Sequence, residues 1–183
     1  MTFALRLLGC AALALALIGC GHRDTTSQDQ NRFLSQTGKE KGVTTLGDGL
    51  EYRVLRSGPS DGPHPVRGDE IKLDYTGSLL SGSVFDSTSA TGLPAVMKLD
   101  GLIPAWMEAL PRMRPGDRWL IYVPPKLGYG ERGQPPVIPP NSVLIFDVTL
   151  IGVLHTDDNV KFAERLPQGP SPRTDPAAAP QHP

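Results

Sequence analysis

The chain has 183 residues, enough for one well-buried domain and short for two, and its 18 Lys and Arg against 19 Asp and Glu leave a formal charge of −1. That balance offers no basic stripe for nucleic acid. The four histidines, at 22, 64, 155 and 182, are scattered with no pair at metal-ligand spacing, so neither a metal nor another cofactor is expected.

Residues 1–19 read as an export signal. Arg6 precedes an apolar run from Leu7 to Leu17, too short to span a bilayer and right for the hydrophobic region of a signal peptide. The run ends in Leu17-Ile18-Gly19-Cys20, which resembles a bacterial lipobox, and this implies acylation of Cys20. The other reading is a plain secretory signal with an unmodified cysteine. Gly21, where an aspartate would signal retention at the inner membrane, implies an outer-membrane anchor facing the periplasm. Cys10 leaves with the signal, so no disulfide is available to the mature chain.

Residues 20–42 are polar, with Phe33 and Leu34 the only aromatic or aliphatic interruptions after Cys20. They are expected to form a flexible tether carrying one weak helical turn. The folded domain is expected over residues 43–154. Leu50, Tyr52 and Val54, then Ile71, Leu73 and Tyr75, alternate with polar residues as half-buried antiparallel strands do. Residues 118–123 (RWLIYV) and 142–153 (SVLIFDVTLIGV) are apolar on both faces and are predicted to be central strands. Between Leu102 and Arg114 the period changes: Ile103, Trp106, Leu110 and Met113 recur at three and four, and Pro104 suits a first helical turn. One short helix among strands makes an α+β domain. Residues 155–183, with six prolines from Pro167 onward, are expected to be a disordered tail.

Gly128 to Gly133 (GYGERG) fits the G-x-G-x-x-G spacing of dinucleotide loops, but QPPVIPP follows and its four prolines forbid the helix that motif requires. There is no G-x-S-x-G elbow and no catalytic cysteine in the mature chain. What remains is a set of aromatic and aliphatic residues on several elements: Tyr75, Phe85, Trp106, Tyr129 and Phe146, with Ile103, Val137 and Ile138. Singly, each is more at home in a core than in a site. Asp86 by default is a turn or cap residue for the N–H groups of Ser87 or Thr88.

Four stretches, DYTGSLLSGSVFDST, LDGLIPAWMEAL, PPKLGYGERGQPPVIPPNSVLIFDVTL and the leader GLEYRVLRSG, resemble the FKBP-type peptidyl-prolyl isomerase domain in order and spacing. The resemblance implies an antiparallel sheet of five or six strands wrapped around one short helix. It implies a catalytic pocket with Trp106 as floor, Tyr75, Phe85 and Phe146 as walls, and Asp86 beside the rotating amide. Tyr129 Oη and Ile103 N–H would bond peptide carbonyls, and Met97, Leu102, Val137 and Ile138 would stand at the rim. It further implies proline-containing exported polypeptides as substrates, macrolide inhibitors of the FK506 class as ligands, and a monomer on a lipid leash. Ala95 stands where many members carry a larger residue and Gln134 where several carry histidine, which bears on peptide preference. A binding-only holdase using the same groove is the alternative, favoured by the thinner wall at Ala95.

Overall fold

The computed structural model describes residues 27–156. The signal segment, Cys20 and the tail from residue 157 therefore lie outside the described residues. Chain order is helix α1 (Ser27–Thr37), strands β1 (Val43–Thr45), β2 (Glu51–Arg56), β3 (Glu70–Leu79), β4 (Val84–Ser87) and β5 (Ala95–Lys98), helix α2 (Pro104–Ala109), and strands β6 (Arg118–Val123) and β7 (Leu144–Leu154).

All strand pairings are antiparallel, in the order β1-β2-β6-β7-β3-β4, with β5 also on β3. The sheet has seven strands where five or six were expected, because two very short segments, β1 and β5, pair separately. β3 is the organising strand. One edge carries β7 along its whole length, while the other is divided between β5, opposite Glu70 to Leu73, and β4, opposite Thr76 to Ser78.

β3 follows the alternation read from its sequence: Ile71 and Leu73 are buried, Glu70, Lys72 and Asp74 exposed. β7, expected to be apolar on both faces, is one-sided instead. Leu144, Phe146, Val148 and Leu150 point into the core, while Ile145, Asp147 and Thr149 are only half-buried. β6 is buried on both faces at Ile121, Tyr122 and Val123, and its second cover comes from α1, whose Phe33 meets the Tyr122 ring edge-on at 5.8 Å.

That helix corrects the tether expected over residues 20–42. Residues 27–37 form three turns docked on the sheet, and Gln30 Oε1 accepts a 2.5 Å bond from the Val143 N–H. Thr37 is buried, and Glu40 just beyond the helix pairs with Arg53. Its docking contacts include one amide, one aromatic ring and an ion pair just beyond the helix, so little apolar signal marks it in the sequence. The C-terminal boundary also moves. His155 Nδ1 lies 2.7 Å from the Asp69 carboxylate and the Thr156 hydroxyl donates to Gly68 O at 2.7 Å, so the first two residues assigned to the tail belong to the domain.

α2 begins at Pro104, where the missing N–H costs nothing, and the Ile103 carbonyl accepts from Trp106 N and Met107 N at 2.9 and 3.1 Å. A 3-10 turn at Leu110–Arg112 ends it. Ala105, Trp106, Ala109, Leu110 and Met113 form its buried stripe against the inner face of the sheet. No helix among the described residues is long and apolar enough to cross a membrane.

Candidate active site

Because the helix starts at Pro104, Trp106 falls on the first turn with its backbone tied to Ile103 and its indole 5% exposed. Around it the sheet contributes rings from three strands. Tyr75 of β3 meets Trp106 at 5.1 Å and 87°, Phe146 of β7 meets it at 5.3 Å and 72°, and Phe85 of β4 meets Phe146 at 5.6 Å and 86°. These edge-to-face contacts place the positive edge of one ring on the negative face of the next, which holds the walls in fixed orientations.

The rings enclose a cavity of about 160 Å³ lined by Tyr75, Phe85, Asp86, Met97, Leu102, Ile103, Trp106, Tyr129 and Phe146. Nine of the eleven residues singled out in the sequence for catalysis and peptide binding thus meet at one place. Val137 and Ile138 do not line it. Ile138 is 1% exposed and belongs to the core, while Val137 is 50% exposed at the tip of a tight loop. That loop doubles back on itself: Gln134 N–H donates to Ile138 O at 2.8 Å and Ile138 N–H to Gln134 O at 3.0 Å. Gly133 makes the fold-back possible, with φ of +61° and a position where a Cβ would lie 2.4 Å from Ile138 O. Ala95 is paired with Leu73 and is absent from the lining, so the wall on that side is Met97 and not a gap.

Asp86 is not the cap residue that its sequence position suggests. Ser87 takes that role, its side chain accepting from Ser89 N, and the Asp86 carboxylate instead accepts a 2.5 Å bond from the Tyr75 hydroxyl. The Tyr75 backbone is fixed from the same side: its N–H donates to Thr88 Oγ1 at 3.1 Å, and its carbonyl accepts from Ser87 Oγ at 3.2 Å. Burial pushes the Tyr75 phenol well above the usual tyrosine range, and the Asp86 bond and charge push it further. Tyr129 is raised by burial first and then by Asp86. Both phenols therefore remain protonated donors at neutral pH.

Gly77 was missed in the sequence and shapes the pocket. It stands opposite Asp86 and Phe146 across β3's two edges, and a Cβ there would lie 2.6 Å from Phe85 Cζ and 2.9 Å from Phe146 Cε1. A lone glycine inside an alternating strand is a signal of close approach, and DYTGSLL carries one. Among the described residues no group of three or more His, Cys, Asp or Glu side chains is placed to hold a metal ion.

The model of the FKBP-type peptidyl-prolyl cis-trans isomerase family matches residues 62–151, which carry all nine cavity residues and the helix that floors it. Among solved structures, a peptidyl-prolyl cis-trans isomerase from Pseudomonas syringae pv. tomato superposes with a TM-score of 0.65 at 30% identity, over 70% of this chain and 92% of that one. The chain belongs to the FKBP-type peptidyl-prolyl cis-trans isomerase family. The FKBP fold is likewise shared with FkpA from Escherichia coli, at a TM-score of 0.65 and 38% identity over 69% of this chain and 58% of that one. By sequence, the FKBP domain is 47% identical to the peptidyl-prolyl cis-trans isomerase Mip of Coxiella burnetii over 127 residues, 69% of this chain and 54% of the relative. The FKBP-type 22 kDa isomerase of Escherichia coli is 42% identical over 67% of this chain and 59% of its own length. The chain thus spans little more than half the length of these curated relatives.

Proposed function

We propose that this protein catalyses cis-trans rotation about Xaa-Pro bonds of exported polypeptides. Rotation breaks amide resonance against a barrier of about 18–20 kcal/mol, and no covalent bond is made or broken. The planar amide is more polar than the twisted one, so transfer from water into an apolar cavity penalises the ground state more than the transition state. Lowering the barrier by roughly 5 kcal/mol gives a rate gain of about 10³ to 10⁴.

The observation that carries this reading is the convergence of five aromatic rings, two of them phenols, with Leu102, Ile103, Met97 and Asp86 on one cavity. Trp106 seats the proline ring, Tyr75, Phe85 and Phe146 enclose it, and Met97, Leu102 and Ile103 meet the flanking chain. Tyr129 Oη and the Ile103 N–H are the donors to peptide carbonyls. Asp86 orients Tyr75 and sets the local field, and no proton transfer is assigned to it.

The protein is further proposed to act as a monomeric lipoprotein, anchored at Cys20 in the outer membrane and facing the periplasm. The name of one relative, the outer membrane protein MIP of Legionella longbeachae, 40% identical over 66% of this chain, supports the envelope setting. Following cis-to-trans conversion of short Xaa-Pro peptides tests the activity: no acceleration across several Xaa would overturn it. A Cys20→Ala chain that still partitions with membranes would overturn the anchor.

A further inference from the structure

Beyond Thr156 the sequence runs on to residue 183, and where the described chain leaves the domain is well defined. His155 and Thr156 both bond Asp69, at 2.7 and 3.4 Å, and the Thr156 hydroxyl bonds Gly68 O. Gly68 N–H in turn donates to Leu99 O at 3.0 Å. Leu99 is four residues from Ile103, about 14 Å of chain at full stretch, so the exit stands within about 25 Å of the cavity rim. The exit is thus stapled to the loop that leads into the pocket.

The outgoing sequence carries six Xaa-Pro pairs, with Leu166, Gly169, Ser171, Asp175, Ala179 and His182 before the prolines. Only Leu166 is a large apolar residue, and the rim it would meet is Met97, Leu102 and Ile103. Residues 157–166 reach about 33 Å at full stretch, beyond the bound of about 25 Å between the exit and the rim.

We propose that the chain's own Leu166-Pro167 pair docks in the aromatic cavity as an intramolecular occupant that competes with external peptides. The inference rests on the isomerase reading of that cavity. A linker of this length supplies an effective concentration of millimolar order, and substrate KM values run up to about 1 mM, so self-occupancy lowers kcat/KM for an external peptide about two- to fivefold.

The test compares the full-length chain in detergent micelles with its Leu166→Ser and Pro167→Ala variants, whose substitutions lie beyond the described residues. The Nε1–H resonance of Trp106 reports pocket occupancy, Trp119 serves as the internal reference, and kcat/KM is measured with a short Leu-Pro peptide. Docking in cis predicts a Trp106 shift in both variants at every protein concentration, with kcat/KM raised two- to fivefold. Superimposable spectra with equal kcat/KM overturn it. A difference that vanishes on dilution assigns the occupant to a second copy and also overturns it, as does an indole shift in an active chain without a gain in kcat/KM. Failure of the isomerase reading is seen separately: none of the three chains then accelerates the external peptide, while the Trp106 resonance still reports the tail.

Discussion

Replacing Gly77 by alanine is the sharpest test of how the pocket is built. The backbone there is ordinary strand, so the substitution adds one methyl group without conformational penalty. That methyl would sit 2.6 and 2.7 Å from two atoms of the Phe85 ring and 2.9 Å from Phe146. Relief to ordinary contact near 3.6 Å requires shifts of about 1 Å in rings that are interlocked edge to face, and such overpacking costs about 1–3 kcal/mol. A domain of this size then loses roughly 3–10 °C in Tm. Because both displaced rings are pocket walls, the catalytic loss should exceed what stability explains: a 1 Å misplacement costs up to about 100-fold in rate. A thermal melt and kcat/KM on a Leu-Pro peptide measure the two effects. Adding Phe85→Leu, which shortens the obstructing ring, should recover part of the lost stability. A Gly77→Ala protein with Tm and kcat/KM both unchanged would refute the claim that this glycine holds the walls in place.

Truncating Phe85 to alanine removes one wall; a half-buried aromatic surface is worth about 2 kcal/mol, so kcat/KM on the same peptide should fall about 30-fold. Tyr75→Phe removes the donor to Asp86 while keeping the ring; its effect should be smaller, about fivefold, since the partner carboxylate is solvated. With the Tyr75 and Tyr129 phenols raised above their ordinary value of 10.0, activity should be level from neutral pH to about pH 10. Above that, tyrosines of the unfolded chain ionise before the folded ones, so stability falls as pH rises, and chemical denaturation at pH 9 and 11 checks the sign. Gln30→Ala leaves the Val143 N–H without its acceptor and should cost about 1–3 kcal/mol, read as a lower denaturation midpoint.

The features legible in the sequence are those that repeat. Ile71 and Leu73 announced β3 by alternation, and Ile103, Trp106 and Leu110 announced α2 by helical spacing, because burial of one face repeats along the element. The pocket residues were recovered through a family resemblance, since side chains from six separate segments share no period. The misses have a common cause, too. α1 is held by Gln30, Phe33 and Glu40, contacts that leave no apolar stripe. Ile138 was placed at the rim and lies in the core because the loop at Gln134 closes on itself, a pairing of backbone groups that side-chain identity does not encode. Asp86 looks like a cap in one dimension and becomes Tyr75's acceptor only once β3 and β4 are side by side.

The divided edge of β3 has a practical consequence for protein engineering. Phe85 and Asp86 hang on one short ribbon and Met97 on another, and the two ribbons share a supporting strand but no register with each other. Remodelling β5 around Met97 should therefore alter which side chain is accepted before proline while leaving the Tyr75 to Asp86 bond in place. On the proposed reading of the cavity, selectivity and turnover become separately adjustable parts of a single sheet.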